Sequence, residues 1–326
     1  MEKRSASRRP WLWRLLLWLL VSSGISLLAQ RRGALSRSGV PAAIVTGTVT
    51  AGAGGWELGL SLIFFFLSSS LLSRFRQQRK ATIAAEKSNK GSARDMLQVA
   101  ANGGVATWCA LRYGLRRRSR ISSDQVRAAC CDPWLAAFGG ALATATADTW
   151  ATEVGVLTRR PPRLMTTGRP VAPGISGAVS WPGTLAAAAG ALALGIVLQG
   201  LLTLARLLPG GTGEPGPDRP LLLVAITWLS GFTGSLVDSL LGATLQAVYR
   251  CPRCGQETEQ RRHRRCGSLT QRVRGWPGVN NDVVNLLATL SGSLIAAVLS
   301  RSPVPRSGPC QGYTRLSASR LKKGSR

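Results

Sequence analysis

Three carboxylates lie inside long apolar stretches of this chain, where a charged side chain is energetically costly. Asp148 and Glu153 fall within ALATATADTWATEVGVL, residues 141–157, and Asp238 falls within LSGFTGSLVDSLLGATLQAV, residues 229–248. Acidic side chains at membrane depth normally face the interior of a helix bundle and mark a site. Because carboxylates bind divalent cations such as Mg²⁺, these residues are the first candidates for chemistry. The alternative for Asp148 is a shorter membrane segment that ends at Ala147.

Helical spacing groups some of the polar residues and separates others. Four residues recur every fourth position and so form one stripe on a helix, namely Gly234, Asp238, Gly242 and Gln246. Small residues beside a carboxylate leave room for a ligand or for a neighbouring backbone. The alternative is tight helix packing in which Asp238 pairs with an arginine.

Asp148 and Glu153 have a less favourable spacing. They are five residues apart, which separates them by about 140° around an unbroken helix. They can share one ion only if the helix ends or unwinds near Trp150. Asn281 and Asn285 are four residues apart and share a face.

The composition indicates a multi-pass membrane protein. The 326 residues are 45% hydrophobic, include 37 glycines and gather their apolar members into long blocks. The 42 Lys and Arg residues oppose 14 Asp and Glu residues, so the formal charge is +28. Because the basic residues lie mostly between the apolar blocks, membrane lipids or phosphates explain this charge better than nucleic acid, which we do not expect as a partner.

Eight transmembrane helices are predicted, and the fold class is therefore all-α and polytopic. The expected spans are 11–29, 39–54, 56–73, 96–113, 134–157, 181–208, 221–248 and 282–300. The first lacks a clear small-residue cleavage site, so we interpret it as an anchor. We divide the chain into a basic N-terminal region with the first helix (1–38), a membrane catalytic domain (39–300) with a Cys-containing loop (250–280), and a basic tail (301–326) expected to be disordered.

The loops that follow the third, fifth and seventh spans are predicted to lie on one face of the membrane. They carry Lys90 with Arg94, the stretch 166–177, and Asn280. Asp148 and Asp238 lie toward the ends of spans that lead to this face. Basic residues are abundant on both sides, so the orientation of the chain stays open.

This combination of residues suits the binding of phosphates. Lys, Arg and backbone N–H groups hold phosphates, and carboxylates hold the divalent ion that neutralises them. The KSNKGSARD segment, residues 87–95, is not a P-loop. A Ser-His-Asp arrangement is unavailable, because His263 is the only histidine.

Five sequence blocks carry a resemblance to a known family. They are NKGSARDMLQVAANGGV, ADTWATEVG, PRLMTTGRPVAPGISGAVSWPGT, GSLVDSLLGATLQ and VNNDVVN, in that order, within residues 39–300. They resemble the multi-pass family that contains transmembrane protein 19 and the chloroplast phytyl-phosphate kinase of tocopherol and phylloquinone biosynthesis. The resemblance implies a membrane kinase that uses CTP or another nucleoside triphosphate to convert phytyl phosphate to phytyl diphosphate. It also implies a plastid membrane, with an endomembrane as the alternative.

The family blocks select the candidate site residues. Carried onto this chain they are Lys90, Arg94, Asn102, Asp148, Glu153, Gly174, Ser176, Asp238, Asn281 and Asn285.

Their roles are assigned from chemistry. Asp148 and Asp238, with Glu153 as a third ligand, are expected to bind Mg²⁺. Lys90 and Arg94 would hold the nucleotide phosphates, the backbone from Gly174 to Gly177 would cradle them, and Asn281 would orient the acceptor. The prenyl tail would lie between helix faces rich in small residues. Because the attacking phosphate oxygen is already anionic, no strong general base is required.

A second metal site is predicted in the Cys-containing loop. Cys251-Pro-Arg-Cys254-Gly is a compact knuckle of the kind that wraps zinc, and His263 with Cys266 completes a Cys₃His set. A Zn²⁺ here would be structural. A reduced loop without metal and a redox pair are the alternatives.

Other functions remain open at this point. The intramembrane acids also suit a different polyisoprenoid or lipid kinase, a nucleotidyl transferase that acts on a lipid phosphate, or a membrane transporter. Consumption of nucleotide separates the transporter from the enzymes, and the product separates the enzymes from each other. A non-catalytic scaffold would tolerate Asp148→Asn and Asp238→Asn.

Overall fold

The computed structural model describes residues 9–76, 93–121, 132–208, 220–263 and 266–301. Within these ranges the chain is mainly helical. The helices are α1 (Arg9–Arg31), α2 (Gly39–Val49), α3 (Trp56–Arg74), α4 (Met96–Ile121), α5 (Pro133–Gly155), α6 (Trp181–Leu207), α7 (Pro220–Thr244) and α8 (Asn281–Leu299). Five of them, α1, α3, α6, α7 and α8, are long and apolar enough to cross a membrane. The all-α, polytopic fold class is confirmed.

Three helices differ from the predicted spans in where they end or in helix type. The largest difference is at α4, which continues to Ile121, eight residues beyond the predicted residue 113. α2 continues into a π-helical turn at Thr50–Gly54, where the hydroxyl groups of Thr50 and Thr107 lie 3.1 Å apart and connect the turn to α4. α7 ends at Thr244, earlier than the predicted residue 248. The helix closes there because the N–H groups of Leu245 and Gln246 both donate to the carbonyl of Leu241.

Short antiparallel strands occupy the connections on one side of the bundle. β1 (Arg163–Leu164) pairs with β2 (Ala178–Val179) in the connection between α5 and α6. Between α7 and α8, β3 (Val248–Arg250), β4 (Glu257–Thr258) and β5 (Gln271–Arg274) form a small sheet in the order β4-β3-β5.

α5 is the central helix of the bundle. It contacts α3, α4, α6, α7 and α8, and every residue from Leu135 to Ala147 is buried. Alanine, glycine and threonine dominate this stretch, and the Thr144 and Thr146 hydroxyls donate to backbone carbonyls one turn earlier at 2.8 Å. Small residues allow close helix approach, and such hydroxyl bonds satisfy polar atoms away from water.

The outer surface of the bundle is apolar. Large hydrophobic side chains point outward from several helices, including Leu20, Leu71, Trp181, Leu221 and Val298, each at least 65% exposed. This inverted pattern suits a protein that faces lipid, because lipid tails leave no reason to bury large apolar groups.

Contacts between helix ends show which connections share a face. Arg74, at the end of α3, donates to the carbonyl of Arg32 after α1 at 2.8 Å. The backbone of Arg94, before α4, pairs with Ala34 and Ser36. Arg274 donates to the carbonyl of Ser176 at 2.7 Å. Segments 32–38, 93–95, 156–180 and 245–280 therefore form one face, which we call the loop face. Ser73 near the end of α3 also donates to Glu153 near the end of α5, so the connections after the fifth and seventh predicted spans lie on the same face as residues 93–95, as predicted. Residues 77–92 of the connection after the third span lie outside the described residues.

Candidate metal and phosphate site

Asp148 of α5 and Asp238 of α7 meet inside the bundle. Their carboxyl groups are close enough to interact directly. One turn deeper, Gly234 lies so close to Thr144 that a methyl group at position 234 would overlap the threonine side chain. The two acids precede the ends of their helices, Gly155 and Thr244, by seven and six residues, so they lie roughly 10 Å below the loop face.

The contact between the two carboxyl groups has a chemical consequence. Two ionised carboxylates this close repel each other, so the pair needs either a shared proton or a bound cation. Oδ2 of Asp238 is buried and has no hydrogen-bond partner within the described part of the chain. Oxygen ligands of this kind fit Mg²⁺ or Ca²⁺. The alternative for Asp238 was tight helix packing in which its carboxylate pairs with an arginine. Within the described residues its neighbour is instead the carboxyl group of Asp148.

The structure does not bring Glu153 to this pair. α5 stays helical through Gly155, so the condition for sharing one ion with Asp148 is not met. Glu153 instead accepts a hydrogen bond at Oε1 from the Ser73 hydroxyl of α3. Among the described residues, Asp148, Asp238 and Glu153 do not form a three-member ligand group.

Arg94 is held by aromatic and polar partners. Its guanidinium donates to Ser70 Oγ at 3.0 Å and lies 5.3 Å from the ring centre of Phe66 and 6.0 Å from that of Phe65. Burial lowers the pKa of Arg94, and the carboxylate of Glu153 acts in the opposite direction. These contacts connect α3 to the start of α4, so they give Arg94 a positioning role. Lys90 lies outside the described residues.

The residues expected to cradle phosphate pack instead onto the end of α7. The Ser176 hydroxyl donates to Gln246 Oε1, and a methyl group at Gly177 would overlap the backbone of Ala243. Gly174 is exposed on the loop face. These contacts hold the 156–180 connection against the end of α7, the helix that carries Asp238. Phosphate binding by the backbone of this connection stays a prediction.

The start of α8 adds polar groups to the site. The Asn280 side chain caps the helix by accepting from the N–H of Val283 at 3.1 Å, and Asn281 follows, half-buried. Asn285 is 8% exposed, and its Oδ1 has no partner within the described ranges. Asp282, 7% exposed, was missed by the sequence reasoning. The available signal was an acid directly after Asn281 in the VNNDVVN block.

An apolar cavity, partly open to the surroundings, lies between α1, α2, α3 and α4. Apolar side chains such as Trp18, Leu62 and Phe66 line it, together with small residues. Arg94, Gln98 and Asn102 supply its polar groups. Asn102, a predicted substrate-binding residue, donates to the carbonyl of Gln98 at 3.1 Å. A cavity with this lining suits a long apolar tail with a polar head.

The four predicted zinc ligands also come together. The ligand atoms of Cys251, Cys254, His263 and Cys266 all lie within 4.8 Å of one another. The Ser268 hydroxyl lowers the pKa of Cys251 to about 6, with help from backbone N–H groups and against the effect of burial. Burial and the neighbouring thiols raise the pKa of Cys266 to about 11. The pKa of each of these thiols therefore depends on its close neighbours.

Comparison with known proteins establishes the family. Residues 20–293 match the model of a family described as Integral membrane protein DUF92. The chain belongs to this family. Membership confirms the predicted resemblance to the transmembrane protein 19 family. The DUF92 match takes in both carboxylates, the cysteine knuckle and the cavity lining apart from Trp18.

The DUF92 chain is similar to proteins from a plant, an archaeon and a cyanobacterium. It is 28% identical to Protein PGR of Arabidopsis thaliana over 291 residues, which cover 88% of this chain and 96% of the relative. It is 26% identical to the uncharacterized membrane protein MJ0933 of Methanocaldococcus jannaschii, with 88% and 94% covered. It is 27% identical to the uncharacterized membrane protein sll0875 of Synechocystis, with 77% of each chain covered. No solved structure matches.

Proposed function

We propose that this DUF92 protein is a membrane-embedded prenyl-phosphate kinase that transfers a phosphoryl group from CTP or another nucleoside triphosphate to phytyl phosphate. The observation that carries the proposal is the contact between Asp148 and Asp238 below the loop face. A half-buried carboxylate pair with one buried, unpartnered oxygen suits a metal ion that would hold phosphates near the membrane surface. The resemblance to the phytyl-phosphate kinase family supplies the substrate and the plastid membrane as the expected location.

The two carboxylates would hold Mg²⁺. A divalent ion held there would supply positive charge that neutralises the nucleotide phosphates during transfer. Asn281 and Asn285 lie in the first turns of α8, which packs against α5 and α7, and would orient the acceptor phosphate through their amide groups. Glu153 holds Ser73 and acts on Arg94, which keeps α3 and the start of α4 in place beside the site.

The transfer itself needs little covalent chemistry from the protein. An oxygen of the phytyl phosphate monoester attacks the γ-phosphorus of the nucleotide. The bond from the γ-phosphorus to the β,γ-bridging oxygen breaks, and the nucleoside diphosphate leaves with the electron pair. The products are phytyl diphosphate and the nucleoside diphosphate. Positioning and charge neutralisation account for such catalysis.

The cavity between α1 and α4 provides a place for the prenyl tail. Small residues, including Gly47, Ala51 and Gly59, line it next to the aromatic rings of α3. Arg94 and Asn102 lie in the same lining and would face the phosphate head. At the loop face, the exposed Arg159 and Arg160 follow α5 and would attract the nucleotide by charge.

The proposal is tested with membranes that contain the protein, phytyl phosphate, Mg²⁺ and either CTP or ATP. Phytyl diphosphate is followed by mass spectrometry. We expect product with the native chain and a loss of at least about 100-fold in Asp148→Asn and Asp238→Asn, because each removes a metal ligand.

Asp132→Asn is the matched control. It makes the same chemical change at the other end of α5, and asparagine still caps the helix by accepting from the N–H of Trp134. Activity there should stay native. Nucleotide consumed with a different lipid product would indicate the other kinase or the nucleotidyl transferase. No nucleotide consumption by folded protein would overturn the kinase and favour transport.

A further inference from the structure

The connection between α7 and α8 contains the same turn twice. Residues 251–255, Cys-Pro-Arg-Cys-Gly, and 263–267, His-Arg-Arg-Cys-Gly, each place a potential ligand three residues before a cysteine that a glycine follows. Gly255 and Gly267 have φ of +72° and +65°, a conformation that glycine adopts without steric cost. Their N–H groups donate to the carbonyls of Cys251 and His263 at 2.9 and 2.8 Å. Both turns therefore end in the same glycine conformation and are closed by the same backbone hydrogen bond.

Each turn also closes a hairpin in the same way. The N–H of Cys251 donates to the carbonyl of Gln256 at 2.9 Å, and the N–H of His263 donates to that of Ser268 at 2.9 Å. Arg250 pairs with Glu257 across the first hairpin, and Arg262 forms a bridge with Leu269 across the second. Two equivalent hairpins that face each other through four ligands are typical of a structural zinc site.

The distances between the ligand atoms fit one tetrahedral ion. Nitrogen and sulfur ligands of a single zinc lie about 3.5 Å apart, and two sulfur ligands lie about 3.8 Å apart. Cys254 Sγ is 3.5 Å from His263 Nδ1, and all four ligand atoms lie within 4.8 Å of one another. His263 is 1% exposed, and its Nε2 has no partner within the described residues. The short Nδ1 contact identifies Nδ1 as the ligand atom.

Hydrogen bonds at both ends of the two hairpins hold the 156–180 connection, which borders the acid pair. Gln246, two residues before β3, accepts from the Ser176 hydroxyl and donates to Glu259 Oε1 at 2.7 Å. Arg274, the last residue of β5, donates to the carbonyls of Ser176 and Ala243, each at 2.7 Å. Ser176 is therefore held from both ends of the small sheet that the four ligands close.

We propose that Cys251, Cys254, His263 and Cys266 bind one zinc ion, and that this ion stabilises the sheet that clamps the 156–180 connection onto the end of α7. The site is structural, and it does not depend on the identity of the reaction. A disulfide in this loop would remove two ligands, and the four cysteines within the described ranges are free.

Metal content tests the site directly. Protein purified in detergent through a tag that does not bind metal should contain about one zinc per chain by mass spectrometry. Cys254→Ser and His263→Ala should each lower this to below about 0.2. Cys109→Ser is the matched control: Cys109 is buried beside Ser293 of α8, and this variant should keep its zinc.

Cobalt substitution keeps the test valid if the ligand variants do not fold. Native protein treated with a chelator and then with Co²⁺ should show the visible absorption of tetrahedral cobalt with thiolate ligands. Folded native protein that contains no zinc and gives no such spectrum would overturn the site. A Cys251–Cys254 disulfide in freshly purified protein would overturn it as well.

Limited proteolysis tests the clamp. Trypsin cleavage after the exposed Arg159 and Arg163, neither of which precedes a proline, should become at least about tenfold faster after chelation and should return to its original rate with added zinc. Arg31 and Arg32, exposed at the end of α1, provide the internal reference and should be cut at an unchanged rate. Zinc bound without protection of the 156–180 connection would contradict the clamp.

Discussion

The three membrane carboxylates have different partners, and the partner determines what each one can do. Asp148 and Asp238 face each other in the interior, where their mutual repulsion favours a cation. Glu153 is one and a half turns further along α5 and accepts from Ser73. We therefore expect Glu153 to hold α3 and Arg94 in position and not to bind the metal.

Magnesium dependence distinguishes these roles. In Glu153→Gln, we expect the half-saturating Mg²⁺ concentration of the kinase assay to stay within about twofold of native, because no metal ligand changes. In Asp238→Glu, the carboxylate is kept but displaced by one methylene, so this concentration should rise by at least about tenfold. An equal rise in Glu153→Gln would place Glu153 in the metal site.

The acid pair was predictable from the sequence because both residues interrupt apolar segments. The separation of Asp148 from Glu153 also followed from helical geometry, and the structure shows the unbroken helix. The partners of Arg94 did not follow, since Phe66 and Ser70 belong to another helix and no spacing rule connects them. Asp282 was overlooked because an acid in the first turn of a helix normally has an exposed, dipole-related role.

At the scale of helices, α5 depends on glycine for its contacts with α7 and α8. A methyl group at Gly140 would overlap the carbonyl of Gly292 and the side chain of Ala296 on α8. At Gly231 of α7 it would overlap Ala143 of α5. These contacts set the distance between the helices that carry Asp148 and Asp238, so packing at depth controls the geometry of the acid pair.

Gly140→Ala should therefore destabilise the bundle. Overpacking of this kind costs about 1–3 kcal/mol, which would lower the temperature of aggregation in detergent by about 5 °C. Gly104→Ala is the matched control, because a methyl group there meets no atom within 4 Å, and its aggregation temperature should stay within about 1 °C of native. Equal effects of the two substitutions would show that glycine flexibility, and not close packing, matters at position 140.

The helical segments were predictable from hydropathy. The π-helical turn after α2 and the early end of α7 were not. The π-helical turn depends on Thr107 of α4, which is 57 residues away from Thr50. The early end of α7 depends on Gln246, whose side chain is engaged by Ser176 and Glu259. Both are interactions between residues far apart in the sequence, so the local spacing of apolar residues does not predict them. In the zinc loop, the sequence predicted the four ligands but not the equivalence of the two turns that carry them.

At the scale of the whole molecule, α4 runs from the loop face to the opposite face. It begins beside Ala34 and Ser36 and extends for 26 residues, about 39 Å. Near its end, Arg116 lies 3.8 Å from Asp132, which caps the start of α5. Because α5 returns to the loop face, the two helices form an antiparallel pair through the bundle.

Thiol labelling tests this arrangement. In sealed vesicles, an impermeant maleimide should label Thr167→Cys on the loop face and Ser119→Cys near the end of α4 from opposite sides, after the native cysteine background is subtracted. Both positions are exposed in the structure. Permeabilised vesicles provide the reference for full reactivity. Labelling of both variants from the same side would show that α4 does not cross the membrane.

The burial of α5 has a consequence for biogenesis. Its polar composition makes spontaneous partition into lipid unfavourable, since an acid at the centre of a helix adds about 3 kcal/mol to insertion. Three of the helices that surround it, α6, α7 and α8, follow it in the chain and are therefore synthesised later. The nascent α5 must stay in a protected, hydrated environment until those helices arrive. The residues that make the centre of the bundle chemically useful thus make the order and speed of membrane insertion part of the folding problem.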